Sequence, residues 1–410
     1  MLRPDTIALT ALLGLLTAFG PVATDMYVPS MPDIGRQLAV GTSEVQLTLS
    51  AYLIGFAVGQ VFYGPVSDQY GRKPVLLTAL TIFCVASLAC ALAPSIETLI
   101  AARALQALGG SGAIVLARAI VRDLYAGERA GRELSRMGAV MSFAPVIAPL
   151  LGGIVQVGFG WRANFLVIVG VGIVTTAIVW RSLPETLHHH AVARLSLAAI
   201  LHDYRDLTRN RGFLAHLGIV ASSHAGLFAW ISGSPFVLQD LYGLTALEFG
   251  VAFAASCIGS LAAASIAASV VIRIGLDLTI GLGALILASG GIAMLASLAL
   301  GLAPVASLVL SMVLYHAGLM LAMPQAIAGA MTPFPDRAGT ASSLIGLVQQ
   351  TSAALLGIVV GYTLGHSAWP LAGAIALMGC LAVLLWGCSR LARTESTHVP
   401  ATNRPLASEE

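Results

Sequence analysis

Charge is scarce in this chain: Asp, Glu, Lys and Arg make up 10% of its 410 residues against 57% hydrophobic ones, and the mean hydropathy is +0.88. A soluble domain of this length needs far more charge to cover its surface, so soluble enzymes and soluble binding modules are excluded. The net charge of +2 gives no case for a nucleic-acid partner. Cysteine is scarce too, and Cys84, Cys90, Cys257, Cys380 and Cys388 all lie in apolar stretches without zinc-ligand spacing. They read as small buried residues and imply no disulfide framework. There is no Gly-x-x-x-x-Gly-Lys loop, so ATP or GTP is excluded as the energy source. No cluster of His, Asp or Glu ligands and no membrane-edge nucleophile supports an integral-membrane enzyme. The run His188–His190 cannot share one helical face, and nothing near it completes a metal site. Short alternating strands are also missing, which excludes an outer-membrane type of barrel.

What is present is a series of apolar runs, each near the ~20 residues that a helix needs to cross a hydrocarbon core. Helices are expected near 6–28, 43–66, 75–94, 97–121, 134–157 and 162–183, then near 213–238, 246–271, 279–300, 304–328, 338–363 and 369–389. The first run is too long for a signal-peptide core and has no small-residue cleavage site, so it reads as an uncleaved helix. Seventeen of the 21 basic residues lie at the chain ends or in alternate loops, among them Arg72, Lys73, Arg122 and Arg211. The opposite face has only Arg36 and Arg162, while Arg103 and Arg118 lie inside the fourth span. The positive-inside rule then puts both termini in the cytoplasm. The expected organisation is a six-helix bundle over 1–183, a cytoplasmic linker over 184–212 with a short surface helix, a second bundle over 213–390, and a cytoplasmic tail over 391–410, polar and disordered after Arg393.

The halves match in register. At an offset of 204, Glu44, Gly55 and Gly71 align with Glu248, Gly259 and Gly275; at 201, Arg136, Gly138 and Ser142 align with Arg337, Gly339 and Ser343. Two parallel six-helix repeats about an axis along the membrane normal describe the major-facilitator architecture, an all-α membrane fold with its substrate site between the halves.

Between the second and third spans the chain reads Gly64-Pro65-Val66-Ser67-Asp68-Gln69-Tyr70-Gly71-Arg72-Lys73-Pro74. Charges held this near a bilayer are costly unless paired. A plain positive-inside loop needs neither the glycine spacing nor the aspartate. The segment closely resembles the major-facilitator loop motif Gly-x-x-x-Asp-Arg-x-Gly-Arg-Lys, with Gln69 replacing the usual arginine. The resemblance implies a cytoplasmic latch between the halves, built from Gly64, Asp68, Gly71, Arg72 and Asp123. The matching turn of the second half, Ile272 to Asp277, keeps Gly275 and lacks the charges at the equivalent positions.

Arg103 lies about two turns inside the fourth span, where an arginine needs water or a partner; snorkelling to the interface is the bland alternative. Its surroundings, through Gln106, Gly109 and Gly110, resemble the family's fourth-helix motif, which is associated with proton coupling. The fifth span carries Pro145, Pro149, Gly152 and Gly153. The prolines remove two helix donors and the glycines permit close backbone approach. This pattern resembles the antiporter motif of the superfamily.

Asp25 is the only acid in the apolar run of the first helix, at a depth similar to that of Arg103. Removal from water favours a neutral carboxyl and a guanidinium favours the anion, a balance suited to a proton carrier. The string Asp25-Met26-Tyr27-Val28-Pro29-Ser30-Met31-Pro32 resembles the first-helix motif of the bicyclomycin- and chloramphenicol-resistance (Bcr/CflA) drug–proton antiporters. Further matches are Arg118 to Asp123, Leu183 to Leu187 and Ser232 to Phe236. Some related exporters have a second acid two turns earlier, where this chain has Thr17. Of the other polar residues in spans, His216, His224, His316, Gln349 and Gln350 are suited to cavity lining or to helix-to-helix hydrogen bonds. Gln106 is preferred for the cavity because it shares a face with Arg103.

The resemblance implies a monomeric multidrug exporter of a bacterial inner membrane, exchanging small amphipathic antibiotics for protons. It implies no cofactor besides the proton gradient. Asp25 and Arg103 are the expected proton-coupling residues, and Asp25, Tyr27 and Gln106 the expected cavity wall. Proton-coupled uptake or export of a metabolite on the same fold is the alternative.

Overall fold

The computed structural model describes residues 6–125, 127–187, 197–334 and 337–397. The histidine run 188–190 and the chain from 398 onward lie outside the described residues. In the first half the helices are α1 (Ile7–Asp25), α2 (Met31–Leu38), α3 (Thr42–Tyr70), α4 (Arg72–Ala91), α5 (Ile96–Leu124), α6 (Gly127–Phe159) and α7 (Trp161–Ser182). A linker helix α8 (Leu197–Thr208) follows, and then α9 (Arg211–Pro235), α10 (Ala246–Ser256), α11 (Ile258–Ile274), α12 (Leu276–Ala299), α13 (Pro304–Met331), α14 (Ala338–Thr363) and α15 (Trp369–Thr397). By length and composition they supply 12 membrane spans, the first joining α1 to α2 and the eighth α10 to α11. Every expected span overlaps one of these, because lipid accepts only segments whose backbone bonds are satisfied internally.

Two ends depart from expectation. The first span continues to Leu38, beyond the expected end near 28. Pro29 and Pro32 each sit in the opening turn of a new helix, where a missing N–H costs nothing. At the other end, α15 runs on to Thr397, past the expected span end near 389; no Gly or Pro lies between Arg390 and Thr397 to stop it.

The aligned glycines do the same physical job in both halves. Gly55 lets α3 press on the backbone of Ala104 in α5, and Gly259 lets α11 press on Val313 in α13. Gly71 and Gly275 open α4 and α12 at φ 97° and 81°, a left-handed region that favours glycine. The two six-helix bundles meet where α3 packs on α14 and α6 packs on α10. Between them lies a cavity of about 1100 Å³, whose wall runs from Thr24 and Asp25 to Asp68, Arg122 and Thr340. It therefore opens at the end that carries the basic loops. The opposite end is closed by Arg36 on Asp240 at 3.0 Å and by Gln239 Nε2 donating to Pro29 O at 3.0 Å.

Candidate functional site

The deep end of the cavity is set by the end of α1. The last helical bond of α1 runs from Met26 N–H to Val22 O, so the carbonyls after Val22 lack their usual donors. The Tyr27 N–H turns to Thr24 O at 3.2 Å, which leaves the Ala23 carbonyl without a helical donor. Arg103 fills that gap: its Nη1 donates to Ala23 O at 3.1 Å and to Gln106 Oε1 at 2.6 Å. The guanidinium lies 4.6 Å from the Tyr27 ring centre and 4.3 Å from that of Tyr52, a buried cation–π box. Nε and Nη2 have no hydrogen-bond partner there.

Asp25 borders the cavity while only 4% exposed, and among the described residues it forms no hydrogen bond or ion pair. The expected pairing of Asp25 with Arg103 is therefore corrected. Arg103 braces the backbone two residues before the acid and does not touch the carboxylate. Two cavity residues are corrected as well. Tyr27 is buried, its hydroxyl 2.6 Å from Thr48 Oγ1, and Gln106 donates to Ser87 Oγ at 2.8 Å. Gln106 does share a face with Arg103, but its amide turns to α4 and Gln106 does not border the cavity.

Arg72 gathers the loop motif. Its Nη1 meets Asp68 at 2.5 Å, its Nε meets Asp123 at 2.8 Å, and Nη1 also donates to Ser67 Oγ at 2.6 Å. Thr186 donates to the same Asp123 at 3.2 Å. The Glu185 carboxylate caps α4, accepting the backbone N–H groups of Arg72 at 2.9 Å and Lys73 at 3.1 Å. Burial alone would push the Glu185 carboxyl up, but backbone N–H groups from Leu187, Arg72, Lys73 and Thr186 outweigh it and hold the carboxyl below its ordinary value. All these partners belong to the first half or to the start of the linker just after α7. Among the described residues the ion pairs and hydrogen bonds of Arg72, Asp68, Asp123 and Glu185 thus do not cross to the second bundle in this conformation, contrary to the expected latch. The reason is geometric: the open mouth lies on this side, and a methyl added at Gly64 would meet nothing within 4 Å.

The fifth-span motif does cross between halves, at the closed end. A methyl on Gly153 would lie 2.6 Å from Ala246 O of α10, and one on Gly250 of α10 would lie 2.7 Å from Pro149 O. Gly152 sits against the Met26 backbone just beyond α1. Pro149 has no N–H to give the carbonyl of Pro145, and Cys257 Sγ approaches that carbonyl at 3.8 Å from the junction of α10 and α11. Pro145 itself borders the cavity.

Comparison with known proteins agrees with this geometry. The sequence model of the Major Facilitator Superfamily matches residues 13–358. The chain belongs to that superfamily. It is 35% identical to the uncharacterized MFS-type transporter YdgK of Bacillus subtilis, over 87% of this chain and 89% of that one. It is 30% identical to the bicyclomycin resistance protein homolog of Haemophilus influenzae (87% and 90% covered) and 32% identical to multidrug resistance protein D of Escherichia coli (94% and 96%). Among solved structures, a D-xylose–proton symporter superposes with a TM-score of 0.73 at 17% identity, over 93% of this chain and 96% of that one, a likeness of fold. The chain is thus a multi-pass membrane transporter of the superfamily.

In this superfamily member the cavity wall is richer in second-half residues than the motifs suggested. His224 and Phe228 of α9 and Gln349 and Gln350 of α14 face Tyr52 and Phe56 of α3 across the space. The two glutamines and the histidine are detectable in the sequence as polar residues inside spans. Nothing marks Tyr52, Phe56 or Phe228 beyond aromatic character. Arg118 and Arg122, one turn apart on α5, supply positive charge nearer the mouth.

Proposed function

We propose that this transporter exports small amphipathic antibiotics in exchange for protons, as a monomer in a bacterial inner membrane with both termini in the cytoplasm. One observation carries the reading: a single unpartnered carboxylate, Asp25, at the inner end of a large cavity between the halves. Such a group changes charge without breaking an ion pair, so protonation is free to track the side from which the cavity is wet. The wall around it, with Tyr52, Phe56 and Phe228, suits amphipathic cargo better than strongly hydrated ions. Relatives named for bicyclomycin and multidrug resistance support the drug class. Basic loops at the open end support a cytoplasm-facing mouth.

Arg103 acts in this scheme through the Ala23 carbonyl, fixing the end of α1 that presents Asp25. Arg72 with Asp68 and Asp123 keeps α3, α4 and α5 together, and the latch forms when α14 swings onto Gly64 as the mouth closes. Energy comes from the proton gradient, with no bound cofactor.

The test uses everted membrane vesicles containing the chain. Acidifying their interior should drive uptake of chloramphenicol, an uncoupler should abolish it, and Asp25→Asn should remove the gradient-driven part. Concentrative uptake that survives the uncoupler would sink the antiport reading.

A further inference from the structure

Among the described residues, three histidines lie in membrane spans, and two are absorbed in the ordinary way. His216 Nδ1 lies 2.7 Å from Gly212 O and His316 Nδ1 lies 2.9 Å from Met312 O, each using the carbonyl one turn back. His224 does not. Its Nε2 lies 3.1 Å from Gln350 Oε1 on α14, and its Nδ1 is buried with no partner. An amide oxygen accepts, so Nε2 of the neutral ring carries the proton and Nδ1 is left as a bare acceptor.

The neighbouring amides also keep free groups. No described group pairs with the Gln350 amide nitrogen or with the side-chain amide of Gln349, and both residues border the cavity. Phe228, one turn beyond His224, adds an aromatic wall. This half of the cavity therefore offers an acceptor, a donor and a free amide beside a ring. Among the described residues a cation finds no carboxylate on this wall. An uncharged hydroxyl or amide finds a partner for each of its groups.

We infer that His224, Gln349 and Gln350 form a hydrogen-bonding subsite for a neutral hydroxyl- or amide-bearing group of the cargo, on the half opposite Asp25. This rests on the export reading above and adds a division of labour to it: the first half handles the proton, and the second half reads the cargo. A ligand spanning both walls ties its binding to the relative position of the halves.

The experiment compares two probes on the purified full-length chain in nanodiscs: chloramphenicol, which carries hydroxyls and an amide, and tetraphenylphosphonium, which offers no hydrogen bond. His224→Phe, Gln350→Leu and Gln349→Leu keep bulk and remove the polar atoms. Each should weaken chloramphenicol binding by about tenfold, as for the loss of one or two hydrogen bonds. Tetraphenylphosphonium binding should stay within about twofold. His224→Phe with Gln350→Leu should cost less than the two singles combined, because they share one contact. Gln349→Leu disturbs no described hydrogen bond, so it keeps the test informative if another variant misfolds. Equal losses for both probes would assign these residues to packing and overturn the proposal, as would unchanged chloramphenicol binding. If the unmodified chain bound neither probe, the export reading would fall with it; if it coupled chloramphenicol to protons while all three variants matched it, this inference alone would fall.

Discussion

The contact between α6 and α10 at the closed end is a close approach of two backbones from different halves. Gly153→Ala adds one methyl that would lie 2.6 Å from Ala246 O and 3.0 Å from Leu247 Cα. Both neighbours are backbone, so neither swings aside and the two helices must separate. Overpacking of this kind costs about 1–3 kcal/mol. Only the conformation closed at this end bears that cost, so the equilibrium moves away from it by roughly 5- to 150-fold. Cys257 is a built-in reporter, buried at the α10–α11 junction with Sγ 3.8 Å from Pro145 O on the facing helix. In a chain with the other four cysteines replaced, a membrane-permeant maleimide should label Cys257 about tenfold faster after Gly153→Ala, within that range. Gly158→Ala is the control, because a methyl there meets nothing within 4 Å. Equal labelling of the Gly153→Ala and unmodified chains would refute the view that this glycine sets the closed state.

Asp25→Asn should abolish gradient-driven efflux yet preserve drug binding, and Asp25→Glu should keep part of the activity; transport across a pH series with parallel binding checks both. Arg103→Lys should lose both ring contacts and the paired donation to Ala23 and Gln106, lowering the thermal unfolding temperature as well as transport, whereas Asp25→Asn should leave that temperature nearly unchanged. Glu185 gives a pH signature. Its carboxyl is held below its unfolded value, so its stabilisation is present above the ordinary carboxylate pKa of ~4.3 and disappears as pH falls through the lower folded value. Thermal unfolding should thus fall more steeply below about pH 4 in the unmodified chain than in Glu185→Gln. The change should be modest, because the side chain is largely open to solvent.

Span positions were legible because lipid leaves the backbone one helical solution, and apolar length reports it directly. Helix ends were less so: Pro29 and Pro32 carry the same letters whether they stop one helix or start the next. At the site, Asp25 stood out as a lone acid in an apolar run, and burial beside a cavity follows from that. Its partner did not follow, because similar depth on two helices says nothing about facing. Arg103 turned to a carbonyl that only the unwinding after Asp25 sets free. Tyr27 and Gln106 failed as cavity residues for the same reason: a helix face is assigned by what packs on it. His224 and Gln350 are 126 residues apart on different helices, and no spacing rule joins them.

The loop motif shows how physics persists where letters change. Both α4 and α12 start after a positive-φ glycine, and a helix N-terminus attracts an anion in either half. In the first half the anion comes from outside, as Glu185 beyond α7 caps α4. In the second half it lies within the first turn of α12 itself, as Asp277, and the cation comes from outside, with Arg390 of α15 at 3.3 Å. Glu185 and Arg390 hold equivalent places in the two repeats with opposite charge. Aligned letter by letter, the second half lacks the charges of this turn at the matching positions. Counted as charge at a helix N-terminus tied to the last span of its bundle, it has kept the device and exchanged which partner carries the acid. What distinguishes the halves is then the Arg72 cluster with Asp68 and Asp123, which has no counterpart at Leu276. That leaves the first half as the one equipped to hold its helices rigid at the mouth, while the second half carries the polar wall that meets the cargo.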